Sequence, residues 1–112
     1  MRTPQPTLIV INPVIAERAD DFEDWLRTIV APAVREHRPE QEGCWEALRA
    51  TDIEDGAVIF TFLFYGGGPS EWQLEPLLNQ ALGAEGAQRA MADMSAMMKG
   101  EQYGWTLDPV HW

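Results

Sequence analysis

Residues 58–72, VIFTFLFYGGGPSEW, decide the fold of this chain. Successive side chains of a strand point to opposite faces of its sheet, so a half-buried strand alternates apolar with polar residues. This stretch does not alternate. One face of the strand would carry Val58, Phe60, Phe62 and Phe64, and the other would carry Ile59, Thr61, Leu63 and Tyr65. Both faces are therefore predicted to be covered in the folded protein.

Composition limits the class of protein. The 112 residues are enough for a single domain, 1–112, and the formal net charge of −10 argues against binding to nucleic acid or to an anionic membrane surface. No apolar run approaches the length of a membrane span, and residues 1–10 lack a secretory pattern, so we expect a cytoplasmic protein. Cys44 is the single cysteine, so no intrachain disulfide is possible.

Periodicity and turn signals divide the rest of the chain into strands and helices. The predicted strands are 7–15, 43–51, 58–65 and 102–110. The predicted helices are 18–37, 71–82 and 85–98. Pro32 should bend the first helix, Gly83 and Gly86 should interrupt the later helical region, and Ser70 is a candidate N-cap. Residues 52–56, DIEDG, predict a turn between the second and third strands.

The order of elements, β-α-β-β-α-β, predicts an α+β fold of the ferredoxin-like kind with a four-stranded antiparallel sheet. Strands one and three would lie in the middle of that sheet, and they are the two most apolar strands. The helices would cover one face and leave the other exposed, which monomers rarely tolerate over a large area. We therefore expect a homodimer in which the two sheets pack face to face. The alternative is that the chain's own tails cover this face.

At residues 42–66, EGCWEALRATDIEDGAVIFTFLFYG, the chain resembles the dimeric α+β barrel superfamily, and within it the antibiotic biosynthesis monooxygenase group. Glu42, Gly43 and Cys44 stand where the group has a Pro-Gly-Cys or Pro-Gly-Phe turn before an edge strand. The resemblance implies a dimeric barrel and an oxidoreductase of secondary metabolism that needs no cofactor. It also leaves open heme binding, polyketide cyclisation and simple ligand binding, which occur in the superfamily.

Two residues are candidates for catalysis. His37 falls on the apolar stripe of the first helix, where an imidazole could accept a proton from a phenol or an activated C–H. Tyr65 ends the third strand, where its hydroxyl could donate a hydrogen bond to a substrate oxygen. The alternatives are a solvated histidine at the end of a helix and a tyrosine that caps the core.

Candidate substrate-binding residues are aromatic, sulfur-containing or polar. They are Trp25, Trp45, Arg49, Thr61, Trp72, Met91 and Met94. The tryptophans and methionines suit the wall of a pocket for a flat aromatic ligand, although core packing is the alternative for each. Arg49 could hold a carboxylate or pair with Glu46 or Asp108. Gly66–Gly68 could form an entrance loop or a plain turn, since a phosphate-binding motif is missing.

These observations give one main functional hypothesis and two alternatives. The main hypothesis is a cofactor-independent monooxygenase acting on a hydrophobic, polyketide-like aromatic molecule bound between the sheet and its helices. One alternative is a non-oxidative polyketide cyclase or a ligand-binding protein on the same scaffold. The other is a purely structural dimer with a filled core. His37 and His111 lie far apart, so we expect no metal site.

Overall fold

The structure is a computed structural model that describes residues 7–66, 72–108 and 110. Its strands are β1 (Thr7–Ile15), β2 (Trp45–Arg49), β3 (Ala57–Tyr65) and β4 (Tyr103–Leu107). Its α-helices are α1 (Ala19–Trp25), α2 (Ala31–His37) and α3 (Leu74–Met97). The sheet has the order β2-β3-β1-β4, and each neighbouring pair is antiparallel. The predicted ferredoxin-like order, with strands one and three central, is confirmed.

The first helical region is continuous but changes its hydrogen-bond register. A π-helical segment, Leu26–Val30, joins α1 to α2, and the Ala31 N–H bonds to the carbonyl of Leu26 five residues earlier. Pro32 has no N–H to give to the preceding turn, so a normal α-helical ladder cannot run through it. At Pro32, where the sequence predicts a bend, the structure has a π-helical segment just before the proline.

The β2–β3 hairpin turns on two residues with positive φ. Asp55 has φ 52° and Gly56 has φ 76°, and the flanking Glu54 and Ala57 exchange backbone hydrogen bonds of 2.8 and 2.9 Å. A two-residue loop with both φ values positive matches the right-handed twist of the two strands. The Asp-Gly pair at the end of DIEDG therefore fixes the register of the hairpin.

The helical region that follows β3 differs from the prediction in its first residue and in one of its two predicted breaks. The helix α3 begins at Leu74, and its backbone departs from helical geometry at Gly83, where φ is 76° and ψ is 169°. The predicted break at Gly83 is confirmed. The predicted interruption at Gly86 is wrong, because Gly86 lies within the second half of α3. The predicted cap Ser70 and residues 67–71 lie outside the described residues.

The two faces of the sheet have opposite environments. Strand register places Val58, Phe60 and Phe62 on the same face as Val14 and Val10. These side chains form one core cluster with the helices; its helical members include Phe22, Trp25, Leu26, Val30, Val34, Leu77, Leu78, Ala87 and Ala90. The helices therefore cover the face that carries the phenylalanines of β3.

The opposite face, which we call the open sheet face, is apolar and partly exposed. Its apolar and aromatic side chains, with Thr61, are Ile9, Ile11, Leu48, Ile59, Thr61, Leu63, Tyr65, Tyr103, Trp105 and Leu107, and Glu46 lies beside Leu63 on the same face. Tyr103 is 51% exposed and Trp105 is 55% exposed, and their rings pack edge to face at 5.5 Å. Within a single chain, the described helices thus leave this apolar face uncovered, whereas the lack of alternation in β3 predicts that it is covered in the folded protein. Most of the two tails lies outside the described residues.

Candidate functional site

A cavity of about 720 Å³ lies between the sheet and the helices. It sits where β1 begins and β3 ends, so Leu8, Val10, Phe62 and Phe64 line it from the sheet. The helices contribute Trp25, Leu26, Val30, Val34, Leu74, Leu77, Met91 and Met94. This volume is in the range that holds small-molecule ligands. The layer predicted to hold a ligand therefore contains a space for one.

Aromatic rings form one wall of the cavity. The ring of Phe64 lies 4.7 Å from that of Trp72 and 6.4 Å from that of Trp45, measured between centroids. Phe62 meets Phe64 edge-on at 6.1 Å. The indole N–H of Trp72 donates to the carbonyl of Gly66 at 2.7 Å, which fixes this ring at the end of β3. The wall therefore offers fixed ring surfaces on which a flat ligand can stack.

The indole of Trp25 brings a polar atom into this apolar setting. Trp25 lines the cavity, is 6% exposed and packs against Phe22 at 5.8 Å. Among the described residues its Nε1 is buried and has no hydrogen-bond partner. A buried donor without a partner costs about 1–3 kcal/mol, so such groups call for an explanation. The unpartnered N–H therefore belongs to a ring that lines the cavity.

Polar side chains lie at the edge of the cavity. Arg38, Gln41, Gln73 and Glu75 line it near the start of α3, and the Arg38 guanidinium donates to the carbonyl of Gln73 at 3.3 Å. Gln102 lines it on the β4 side. The site therefore combines an apolar aromatic body with polar groups at its edge, which is the usual composition of a small-molecule pocket.

The structure does not bring the two catalytic candidates together. His37 ends α2 between the cavity-lining residues Val34 and Arg38, its side chain is 23% exposed, and its Nε2 lies 4.0 Å from the Glu36 carboxylate. Tyr65 lies on the open sheet face, where its hydroxyl donates to Glu46 Oε2 at 2.8 Å. Tyr65 is not among the residues that line the cavity. Their catalytic roles stay predictions.

Two of the candidate binding residues lie away from the cavity wall. Thr61 is on the open sheet face, because β3 alternates and Thr61 follows Phe60. Arg49 donates to Asp20 at 2.8 Å and to Glu23 at 3.2 Å, so its predicted pairing with Glu46 or Asp108 is replaced by ion pairs to α1. A hydrogen bond to Asp20, and to a smaller extent one to Glu23, raises the pKa of Arg49. The side chain is therefore a cation at physiological pH.

The remaining candidates line the cavity: Trp25, Trp45, Trp72, Met91 and Met94. Whether they contact a ligand stays a prediction.

Within residues 7–66, 72–108 and 110, no group of three or more His, Cys, Asp and Glu side chains is placed to hold a metal ion. No helix in the same part of the chain is long and apolar enough to cross a bilayer. His111 lies outside the described residues.

Sequence reasoning missed two polar residues beside the cavity, Asn12 and Gln102. Asn12 is fully buried on the helix-facing side of β1, and it accepts a hydrogen bond of 2.6 Å from Gln102 Nε2. Its signal was present in TLIVINPVI, where an amide interrupts an apolar strand, because buried polar residues are uncommon and need partners. Gln102 carried no such signal, since it precedes an edge strand.

The fold and the cavity together define a class, a ferredoxin-like α+β domain with a small-molecule-sized pocket between its layers. Solved structures share the fold of this class. A Caulobacter crescentus protein provisionally named an antibiotic biosynthesis monooxygenase is similar over 96% of this chain and 92% of its own, with TM-score 0.53 and 18% identity. A Nitrosomonas europaea protein with the same provisional name is similar over 99% and 96%, with TM-score 0.52 and 12% identity.

The chain therefore shares its fold with proteins provisionally named antibiotic biosynthesis monooxygenases, and the predicted resemblance is confirmed at the level of fold. At these identities the likeness concerns the path of the backbone alone. No protein-family model matches the sequence. No curated protein matches it either.

Proposed function

We propose that this protein binds a flat, hydrophobic aromatic molecule in the cavity between sheet and helices and oxidises it as a cofactor-independent monooxygenase. The observation that carries the proposal is the wall formed by Trp45, Phe64 and Trp72 beside a space of about 720 Å³. The shared fold with proteins provisionally named antibiotic biosynthesis monooxygenases supports the choice of reaction.

The proposed reaction needs no cofactor because the substrate supplies the electrons. A base removes a proton from an activated CH₂ group, and the resulting carbanion gives an electron pair to dioxygen. The peroxide that forms takes up a proton and then loses water, so CH₂ and O₂ become C=O and H₂O. The protein would contribute the base, a hydrogen-bond donor to the developing oxyanion and an enclosure that excludes water.

His37 remains the proposed base, since Val34, about one helical turn before it, and Arg38, directly after the end of the helix, both line the cavity. Trp25 is better placed than Tyr65 to donate to a ligand oxygen in the cavity, because the Tyr65 hydroxyl lies across the sheet. Tyr65 would act only on a ligand bound at the open sheet face. The variants His37→Ala and Tyr65→Phe therefore separate two locations for the chemistry.

Oxygen uptake by the purified, metal-free protein against a panel of anthrones and hydroquinones tests the proposal. We expect uptake above the protein-free rate, a loss of about 100-fold or more in His37→Ala, and little change in Tyr65→Phe. A large loss in Tyr65→Phe alone would move the site to the open sheet face. Binding without oxygen uptake would replace the oxygenase by the alternative, a non-oxidative cyclase or a ligand-binding protein.

We also propose that two copies of the chain pack through their open sheet faces as a homodimer. The support is the exposure of Leu48, Tyr103, Trp105 and Leu107, each near one half, beside the isoleucines of β1. A contiguous apolar surface of this kind is typical of an interface. Two-fold packing would cover the face in both copies with the same residues.

A further inference from the structure

A pair of hydrogen-bonded amides, Asn12 and Gln102, lies at the edge of the cavity, and of the two Gln102 lines it. Asn12 is 0% exposed, in the middle of β1 and opposite Phe60 in β3. Gln102 lies just before β4, is exposed, and lines the cavity. Burying an amide costs free energy unless its groups are hydrogen-bonded, so the partners of Asn12 are what allow it to stand at this position.

The hydrogen bonds of Asn12 fix which way its amide points. Its Nδ2 donates to the Phe60 carbonyl at 3.2 Å and lies 3.5 Å from the Val10 carbonyl. The reverse orientation would put the amide oxygen against carbonyl oxygens, which only accept hydrogen bonds. Asn12 Oδ1 must therefore point the other way, where it accepts from Gln102 Nε2 at 2.6 Å.

The same logic fixes the amide of Gln102. Because Asn12 presents an acceptor, Gln102 must present its NH₂ group to Asn12. The carbonyl Oε1 of Gln102 then stays available on a residue that lines the cavity, and Asn12 prevents the amide from turning over. An amide whose orientation is held by a buried partner acts as an acceptor of fixed position, whereas a free glutamine can offer either group.

We propose that Gln102 is a specificity-determining residue that accepts a hydrogen bond from a hydroxyl group of the ligand, and that Asn12 is its positioning residue. The inference rests on the proposed binding of an aromatic molecule in the cavity, and it narrows the ligand class to phenolic rings. A ring that carries an ether or a bare C–H at that point leaves the Gln102 oxygen without a donor. Discrimination between such ligands is the measurable consequence.

The test compares 1-naphthol with 1-methoxynaphthalene, which differ at the O–H group, by titration calorimetry. We expect the wild type to bind 1-naphthol about 3- to 10-fold more tightly, the range that one net hydrogen bond provides. Gln102→Leu should bind both compounds equally, with the affinity for 1-methoxynaphthalene unchanged. Asn12→Leu should keep binding but lose part of the preference, because Gln102 can then rotate.

The controls separate specificity from folding. A purely structural role would lower both affinities together, so parallel losses in Gln102→Leu would overturn the proposal. Gln80→Leu, at an exposed position of α3, controls for the loss of an amide elsewhere. Equal binding of the two compounds by the wild type would overturn this inference and leave the proposed site intact. Failure of the wild type to bind either compound would overturn both.

Discussion

Trp25 shows at the scale of one residue how the cavity differs from ordinary core packing. Its ring is buried against Phe22, yet in the described part of the chain its N–H has no partner. A phenylalanine at position 25 would fill similar space and would avoid the cost of burying an N–H donor without a partner. The sequence predicted that Trp25 lines a pocket, but the state of its N–H depends on what packs around it.

Replacing Trp25 by Phe should remove a hydrogen bond to bound ligand at little cost to the free protein. We expect 1-tetralone, which carries a carbonyl, to bind the wild type about 3- to 10-fold more tightly than tetralin, and Trp25→Phe to lose this preference. The free energy of unfolding should fall by less than about 1.5 kcal/mol, because the ring is exchanged for a smaller ring and an unpaired donor is removed.

Titration calorimetry and thermal unfolding measure the two effects. Trp45→Phe is the matched control, since Trp45 also lines the cavity and stands beside Phe64. A preference for 1-tetralone that survives in Trp25→Phe would show that its N–H does not meet the ligand.

At the scale of elements, glycine positions decide how α3 lies on the sheet. Gly83 has φ 76° and ψ 169°, a region of backbone space that is almost restricted to glycine. It allows the two halves of α3 to meet at an angle, so that Leu77 and Leu78 before the break and Ala87 and Ala90 after it all reach the core. The sequence indicated this break because glycine is a poor helix former. It could not separate Gly83 from Gly86, since the difference lies in the backbone angle.

Gly83→Ala should destabilise the protein by about 1–3 kcal/mol, the cost of holding a non-glycine residue in that backbone region. Nothing lies within 4 Å of an added Cβ, so the effect would come from the backbone and not from a steric clash. Chemical denaturation measures it. The control is Ala84→Ser, at the next and exposed residue, where we expect a change within about 0.5 kcal/mol. A stabilised Gly83→Ala variant would mean that α3 runs unbroken.

At the scale of the whole molecule, the two-residue period of the strands predicted the order of the sheet, which no sequence motif did. The apolar residues on both faces of β1 and β3 indicated central strands, and the sheet order β2-β3-β1-β4 agrees. The site was harder to predict. Thr61 and Tyr65 were grouped with the pocket although strand alternation places them on the open sheet face. The Asn12–Gln102 contact joins residues far apart in the chain, and only the folded structure reveals it.

The open sheet face leads to a prediction about assembly. Leu63→Glu would place a charge at the centre of this face, on the third strand, and should convert the proposed dimer to a monomer. Ala92→Glu, at an exposed position of α3, adds the same charge elsewhere and should leave the assembly unchanged. Sedimentation velocity distinguishes the two masses. A wild type that sediments as a monomer at all accessible concentrations would contradict the prediction.

The central claim is that the space between sheet and helices holds an aromatic ligand, and filling that space tests it most directly. Met94→Trp places a larger side chain on the cavity wall, and Ala92→Trp adds the same side chain at an exposed position of the same helix. Calorimetric titration with 1-naphthol should show binding to the wild type and to Ala92→Trp, and a loss of at least about 10-fold in Met94→Trp. Equal affinity in all three folded proteins would place the ligand elsewhere and contradict the account.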